Sequence, residues 1–173
     1  VRLLTSGHDA TSLHLVMPAV LGGELFHVLE EFGALEETAA QFYTACLVLA
    51  LQHLHTLGIA YRDLKAENVL LTGGVSYPDA GWPVLADMGL ANFTKSELLH
   101  SFCGTPSFIA PEVARSHGYG TAADWWGLGV LVCQMLTLHT PFEGSTQRAT
   151  LQNVVRNTRT LHQPLDALVS PTA

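Results

Sequence analysis

The 173-residue sequence is 48% hydrophobic and 13% charged, with a formal net charge of −7. That balance excludes a disordered chain, and the length fits one domain with a real core better than two. The acidic excess leaves no electrostatic footprint for nucleic acid and suits cationic partners such as basic peptides.

Residues 1–20 read as two strands: residues 1–4 are a short apolar run, Ser6-Gly7-His8-Asp9 supplies turn chemistry, and residues 13–20 return as a second apolar run. Gly22-Gly23 breaks that run, and a short helix begins near Glu24 with Leu25, Phe26, Val28 and Leu29 as its apolar residues. The clearest helix covers residues 36–57, with Phe42, Cys46, Leu49, Ala50 and Leu54 spaced by three and four and Gly58 as its stop. Its apolar run at 45–51 is far shorter than the roughly 18 residues a membrane span needs, so no membrane span is expected. The sequence opens at Val1 without a signal peptide and is expected to be a fragment of a longer chain.

A β-branched and polar mix then leads to Leu71. Residues 72–81 form a turn-rich loop, and residues 83–86 return as the second strand of a hairpin. Residues 90–109 carry no clear period and read as loop. Residues 121–138 are apolar and long enough for a buried helix, residues 146–156 predict another, and the last fifteen or so carry weak signals. Two strands, then helices with a small hairpin between them, make an α+β fold that is mostly helical.

Cys46, Cys103 and Cys133 are odd in number and widely spaced, with no C-x-x-C pair. Neither a disulfide framework nor a zinc site is expected, and a reducing, cytoplasmic compartment is.

The segment Tyr61-Arg62-Asp63-Leu64-Lys65-Ala66-Glu67-Asn68 carries the strongest chemical signal. Asp63 and Asn68 stand five apart on a tight loop with Lys65 between them, so a carboxylate, an ammonium and an amide can converge. Such a cluster suits a hydroxyl nucleophile, a transferring phosphate and a metal ion, because phosphoryl transfer asks a protein mainly for positioning and charge neutralisation. The alternative is a solvated polar turn.

This segment resembles the H-R-D-L-x-x-x-N catalytic loop of protein kinases, with Tyr61 for His and Ala66 for the usual Pro. Tyr at that place is common in the AGC group, which contains the cyclic-nucleotide-dependent kinases. Three more motifs follow in family order: Asp87-Met88-Gly89 resembles D-F-G, Ala110-Pro111-Glu112 matches A-P-E, and Asp124-Trp125-Trp126-Gly127-Leu128-Gly129 resembles the start of the large buried helix in the same group. The resemblance covers residues 1–150 and implies a partial serine/threonine kinase domain. Residues 1–20 would be the last strands and hinge of the small lobe, and residues 21–173 a large C-terminal lobe cut short at its end.

The roles that the resemblance implies are as follows. Asp63 would accept the substrate hydroxyl proton, Lys65 would neutralise the γ-phosphate of ATP, and Asn68 and Asp87 would bind Mg²⁺. Met17 would be the gatekeeper, Pro18 and Val20 would meet adenine through their backbone, and Leu70 would lie under the ring; for Met17 and Leu70 the alternative is core packing. Met88 would fill the apolar slot of the usual Phe. Glu24, in Gly22-Gly23-Glu24-Leu25-Phe26, would touch the ribose and a basic substrate residue, and Glu67 would face an Arg three residues before the target hydroxyl. Against both stands a solvated surface charge. Gln134, where relatives carry Glu, implies a weaker preference for a second basic residue.

Ser101 falls at the activation-segment phosphorylation site of Ser101-Phe102-Cys103-Gly104-Thr105-Pro106, where a phosphate of about −2 charge from an upstream kinase would pair with Arg62. Thr105 would hydrogen-bond near Asp63 and Lys65. Asn92 stands where relatives have a second basic residue for that phosphate, so the pocket is thinner. Cys103 is expected to pack, the alternative being a redox-sensitive thiol, and His53 and His55 are expected to be structural rather than catalytic.

No G-x-G-x-x-G, V-A-I-K lysine or paired helix glutamate appears in the sequence; the resemblance sets these in about 100 residues ahead of Val1. Leu3 would survive from the hydrophobic column linking the lobes, and the Arg partner of Glu112 would lie beyond Ala173. Two readings therefore stand: part of an active Ser/Thr protein kinase, or a non-catalytic pseudokinase-like scaffold. A small-molecule kinase fits less well, because Thr105-Pro106 and Ala110-Pro111-Glu112 shape a protein-substrate groove in the family.

Overall fold

The computed structural model describes residues 1–73, 81–94 and 98–156. The chain opens with an antiparallel hairpin, β1 (Thr5–His8) and β2 (Leu13–Val16), in the register Thr5↔Val16 to His8↔Leu13. The first strand thus lies in the segment expected to turn. The reason is Asp9, whose Oδ1 accepts from the amides of both Thr11 and Ser12 at 2.8 Å, moving the reversal to residues 9–12. The second strand stops at Val16, short of Val20, and all eight strand residues are exposed.

Gly22-Gly23 ends the hairpin segment as expected. A Cβ on Gly22 would sit 2.3 Å from the Leu71 carbonyl oxygen, so only glycine lets this backbone reach the next sheet. Helix α1 (Leu25–Phe32) follows, burying Leu25, Val28 and Leu29. Helix α2 (Glu37–Thr56) keeps the expected span, and of the expected apolar positions Ala50 and Leu54 pack half-buried against the core, beside the fully buried face. Its buried stripe is Ala40, Tyr43, Leu47 and Leu51, while Leu49 is 66% exposed and Phe42 packs edge-on against exposed Trp82. Apolar side chains occupy most of the circumference of this helix, so a 3-4 spacing can be drawn along more than one stripe.

Two short pairings carry the loops. Strand β3 (Ile59–Ala60) pairs with β6 (Asn92–Phe93), and β4 (Val69–Leu71) pairs with β5 (Pro83–Leu85), both antiparallel. The β4–β5 hairpin is the one read from the sequence; most of its connection, residues 74–80, lies outside the described residues. The stretch expected to be pure loop contains β6 and a single helical turn at Pro106–Phe108. Then come α3 (Pro111–Ala114), α4 (Ala122–Thr137) and α5 (Gln147–Arg156). The expectation for the last fifteen residues also lies outside the described ones.

The main core joins α1, α2, the residues around β4 and the inner face of α4, with Leu25, Leu47, Leu51, Tyr61, Leu71, Leu131 and Met135 essentially inaccessible. Each such aliphatic side chain contributes on the order of 2 kcal/mol on burial. A second cluster of Ile109, Ala110, Val113 and Tyr119 sits under the segment that precedes α3. Trp126 stacks on Phe142 beside it at 5.2 Å. Among the described residues, no helix is long and apolar enough to cross a membrane.

Candidate active site

The loop between β3 and β4 hangs from one buried carboxylate. Asp124 sits in the first turn of α4 at 2% exposure. Its Oδ2 accepts the Tyr61 amide at 2.9 Å, its Oδ1 accepts the Arg62 amide at 2.8 Å, and His55 Nε2 lies 2.8 Å from Oδ2. These bonds hold Arg62 at φ 72°, a left-handed conformation that a β-carbon disfavours. Asp87 is also left-handed, at φ 52°. Two of the four such non-glycine residues among those described therefore lie in this loop and in the one after β5.

The loop then delivers three polar groups to one place. Lys65 Nζ lies 3.2 Å from Asp63 Oδ2 and 3.3 Å from Thr105 Oγ1, and Thr105 Oγ1 donates to Asp63 Oδ1 at 3.1 Å. Asn68 Nδ2 donates to the Asp63 carbonyl at 2.8 Å and to Asp63 Oδ2 at 2.9 Å. The convergence expected from the spacing is thus observed, and Thr105 joins it from 42 residues away. Gly104, at φ 101°, makes the approach possible, since a Cβ there would meet the Arg62 carbonyl oxygen at 2.8 Å.

Asp87 stands one residue past Ala86, whose amide donates to the Asn68 carbonyl at 2.9 Å. The Tyr61 hydroxyl donates to the Ala86 carbonyl, so the two loops are pinned together. Burial pushes the Tyr61 phenol well above its usual range, and the nearby carboxylates of Asp63, Asp87 and Asp124 push it further. Asp87 itself is exposed, and its Oδ1 accepts the Gly89 amide at 2.9 Å. Among the described residues it forms no hydrogen bond to Asn68 or Asp63. Met88 is exposed, so the expected filling of an apolar slot is not observed. The side-chain oxygens of Asn68 and Asp87 are of the hard kind that magnesium takes, but among the described residues no three His, Cys, Asp or Glu side chains gather as a metal cluster.

Backbone pairing brings Glu24 and Leu70 together: the two form a β-bridge, and the Gly22 amide donates to the Leu71 carbonyl at 2.9 Å. Both side chains are half-buried, as is Val20. Met17 is 47% exposed and Pro18 is also exposed, so core packing does not describe Met17. Glu67 faces solvent. Arg62 and Ser101 meet directly, with Arg62 Nη1 donating to Ser101 Oγ at 2.5 Å. Leu3 is exposed. Glu112 is half-buried, and its carboxylate makes no hydrogen bond or ion pair among the described residues. Cys103 is half-buried, with its Sγ 3.7 Å from the Tyr119 hydroxyl.

Sequence reasoning gave no role to Tyr119 and quoted Asp124 only as the start of a helix motif; His55, expected to be structural, is the partner of that buried carboxylate. The signal for Asp124 was present, because a carboxylate in the first turn of an otherwise apolar helix needs buried partners. Nothing local marks Tyr119.

Frame and loop together define an α+β domain built around one polar, catalytic-type loop. The family model for the protein kinase domain matches residues 1–172. The chain is 37% identical over 165 residues to cGMP-dependent protein kinase isozyme 2 of Drosophila melanogaster, covering 95% of this chain and 17% of that protein. It is 40% identical over 162 residues to ribosomal protein S6 kinase beta of Caenorhabditis elegans, covering 92% and 28%. It is 42% identical over 142 residues to the cAMP-dependent protein kinase catalytic subunit PRKX of Mus musculus, covering 82% and 38%. The chain belongs to the protein kinase domain family, and it spans well under half the length of these relatives.

Proposed function

We propose that the chain is the large-lobe portion of a serine/threonine protein kinase that transfers the γ-phosphate of ATP to protein substrates. The observation that carries this reading is the convergence of Asp63, Lys65 and Asn68 with Thr105 from a distant segment. A solvated turn would have no reason to gather four polar side chains with partners so specific.

In this reading residues 1–20 are the last strands and hinge of the small lobe, and residues 21–173 belong to the C-terminal lobe. Asp63 orients the substrate hydroxyl and receives its proton. Lys65 offsets charge on the transferring phosphate, and Thr105 holds both side chains in place. Asn68 and Asp87 would hold magnesium, which supplies charge neutralisation at the phosphates. Met17, Pro18, Val20, Glu24 and Leu70 border the adenine and ribose site. Glu24 and Glu67 favour basic residues ahead of the target Ser or Thr, in keeping with the net charge of −7. Ser101 is the modification site for an upstream kinase, with Arg62 as its counter-charge.

The test is γ-phosphate transfer to a basic Ser/Thr peptide by the longer protein that contains these residues. Asp63→Asn is expected to lower kcat by about 10²–10⁴-fold. Transfer that survives this substitution sinks the assignment. Residues 1–173 alone are expected to transfer little or nothing; robust transfer by this piece, abolished by Asp63→Asn, would overturn that expectation. A non-catalytic scaffold is the second reading. It takes over if the longer protein binds substrate peptide but never phosphorylates it.

A further inference from the structure

We infer that Tyr119 is a positioning residue that fastens the activation segment to the catalytic loop without a phosphate. The functional meaning rests on the kinase reading above, but the fastening itself is a property of the fold.

Tyr119 lies between α3 and α4 at 4% exposure, its ring packed in the cluster of Ile109, Ala110 and Val113. A buried tyrosine hydroxyl needs one partner, and this one has three. It donates to the Ser101 carbonyl at 2.7 Å, accepts from Arg62 Nη1 at 3.1 Å, and lies 3.7 Å from Cys103 Sγ. The Tyr119 backbone adds a two-bond bridge to Leu99, at 2.8 Å and 3.0 Å. Residues 99–103 are therefore attached to Tyr119 at three points, Leu99 through its backbone and Ser101 and Cys103 through its hydroxyl, and its ring is anchored in an apolar cluster.

Arg62 completes the clamp. Its Nε donates to the Leu90 carbonyl at 2.6 Å, and its Nη1 is shared between the hydroxyls of Ser101 and Tyr119. The guanidinium is thus engaged by neutral oxygens on both sides of the segment. Asn92 brings no second cation: its Oδ1 accepts the Phe93 amide at 2.8 Å. A phosphate on Ser101 would enter a site whose geometry is already set, and would add little order to it.

The experiment is amide exchange by NMR on the full chain, reading the Leu99 and Tyr119 amides against those of α4. Tyr119→Phe is expected to speed exchange of the Leu99 amide about five-fold or more relative to α4, the effect of losing one or two hydrogen bonds. Phosphoserine at 101 in the otherwise unchanged chain is expected to slow it by less than about five-fold. The same phosphoserine in Tyr119→Phe is expected to restore the original rate, which a purely structural loss would not allow. No acceleration in Tyr119→Phe, or no rescue, overturns the inference. So does slowing of five-fold or more by phosphoserine when Tyr119 is present. If Tyr119→Phe also exposes the α4 amides, the variant has lost its fold, and the phosphoserine comparison with Tyr119 intact decides alone. None of these readouts needs phosphate transfer, so failure of the kinase reading would be seen separately.

Discussion

Asp124 concentrates in one side chain what holds the polar loop in shape. It accepts the Tyr61 and Arg62 amides and faces His55, and its burial leaves no water to replace them. Asp124→Ala is expected to lower stability by about 3 kcal/mol, because buried donors lose a charged acceptor. Denaturant unfolding checks this, and a change below about 1 kcal/mol would mean that the loop is held some other way. Asp9 makes a different case on the exposed hairpin. Hydrogen bonding to His14, and to Thr11 and Ser12, holds its carboxyl down to about 2. The folded pKa is depressed, so the turn is favoured above the ordinary Asp value of about 3.9 and loses that support only as pH falls toward 2. The Thr11 and Ser12 amide resonances should therefore stay in place between pH 5 and 3; a titration midpoint near 4 would refute the depressed value. The approach of Asp63, Lys65 and Asn68 was legible because five residues of loop decide it. Thr105 was expected beside Asp63 and Lys65 only through the family resemblance, and it is found there; the pairing of His55 with Asp124 and of Tyr119 with Ser101 was not legible, since each depends on the packing of elements far away in sequence.

At the scale of elements, sequence periodicity located α2, α4 and α5 to within a residue or two but found only part of the buried side of α2. The helix is apolar around most of its circumference, so the inner stripe is chosen by what α4 presents to it rather than by its own pattern. Two leucines on the same helix test this. Leu51 is fully buried, and Leu51→Ala should cost about 3 kcal/mol through lost burial and a residual cavity. Leu49→Ala should cost about 0.5 kcal/mol or less. Equal losses at the two positions, measured by thermal or urea unfolding, would mean that α2 packs in another rotation. The first strand was misplaced for a related reason. Gly7 and Ser6 look like turn residues, yet the side chain of Asp9 offers a better-bonded reversal three residues on, and the backbone follows the hydrogen bonds. The β4–β5 hairpin was legible because apolar runs flank a Gly- and Pro-rich connection, and both runs reach the core through Leu71 and Leu85.

Across the whole molecule, burial is unevenly shared. Helices α1, α2 and α4 with the β4–β5 hairpin make one continuous core, whereas β1 and β2 expose every residue. The bonds joining residues 1–20 to the rest include that from the Val1 amino group to the Leu85 carbonyl, at 2.9 Å. A two-stranded hairpin without a covered face is marginal in water. Its amides should therefore open locally, far more often than the molecule unfolds. The Leu4 and Asp9 amides, bonded across the hairpin at 2.8 Å and 3.0 Å, are expected to exchange with an opening free energy of about 1 kcal/mol or less. Amides in the middle of α2, near Leu47 and Leu51, should exchange only at the global limit. If both sets exchange together, residues 1–20 fold as part of the core, and the proposed division between hinge strands and large lobe fails. If they separate, a nucleotide in the proposed site between Met17 and Leu70 would meet one ordered wall and one that opens easily. Weak transfer by residues 1–173 alone would then follow from the unequal stability of the two walls, with the Asp63 loop intact.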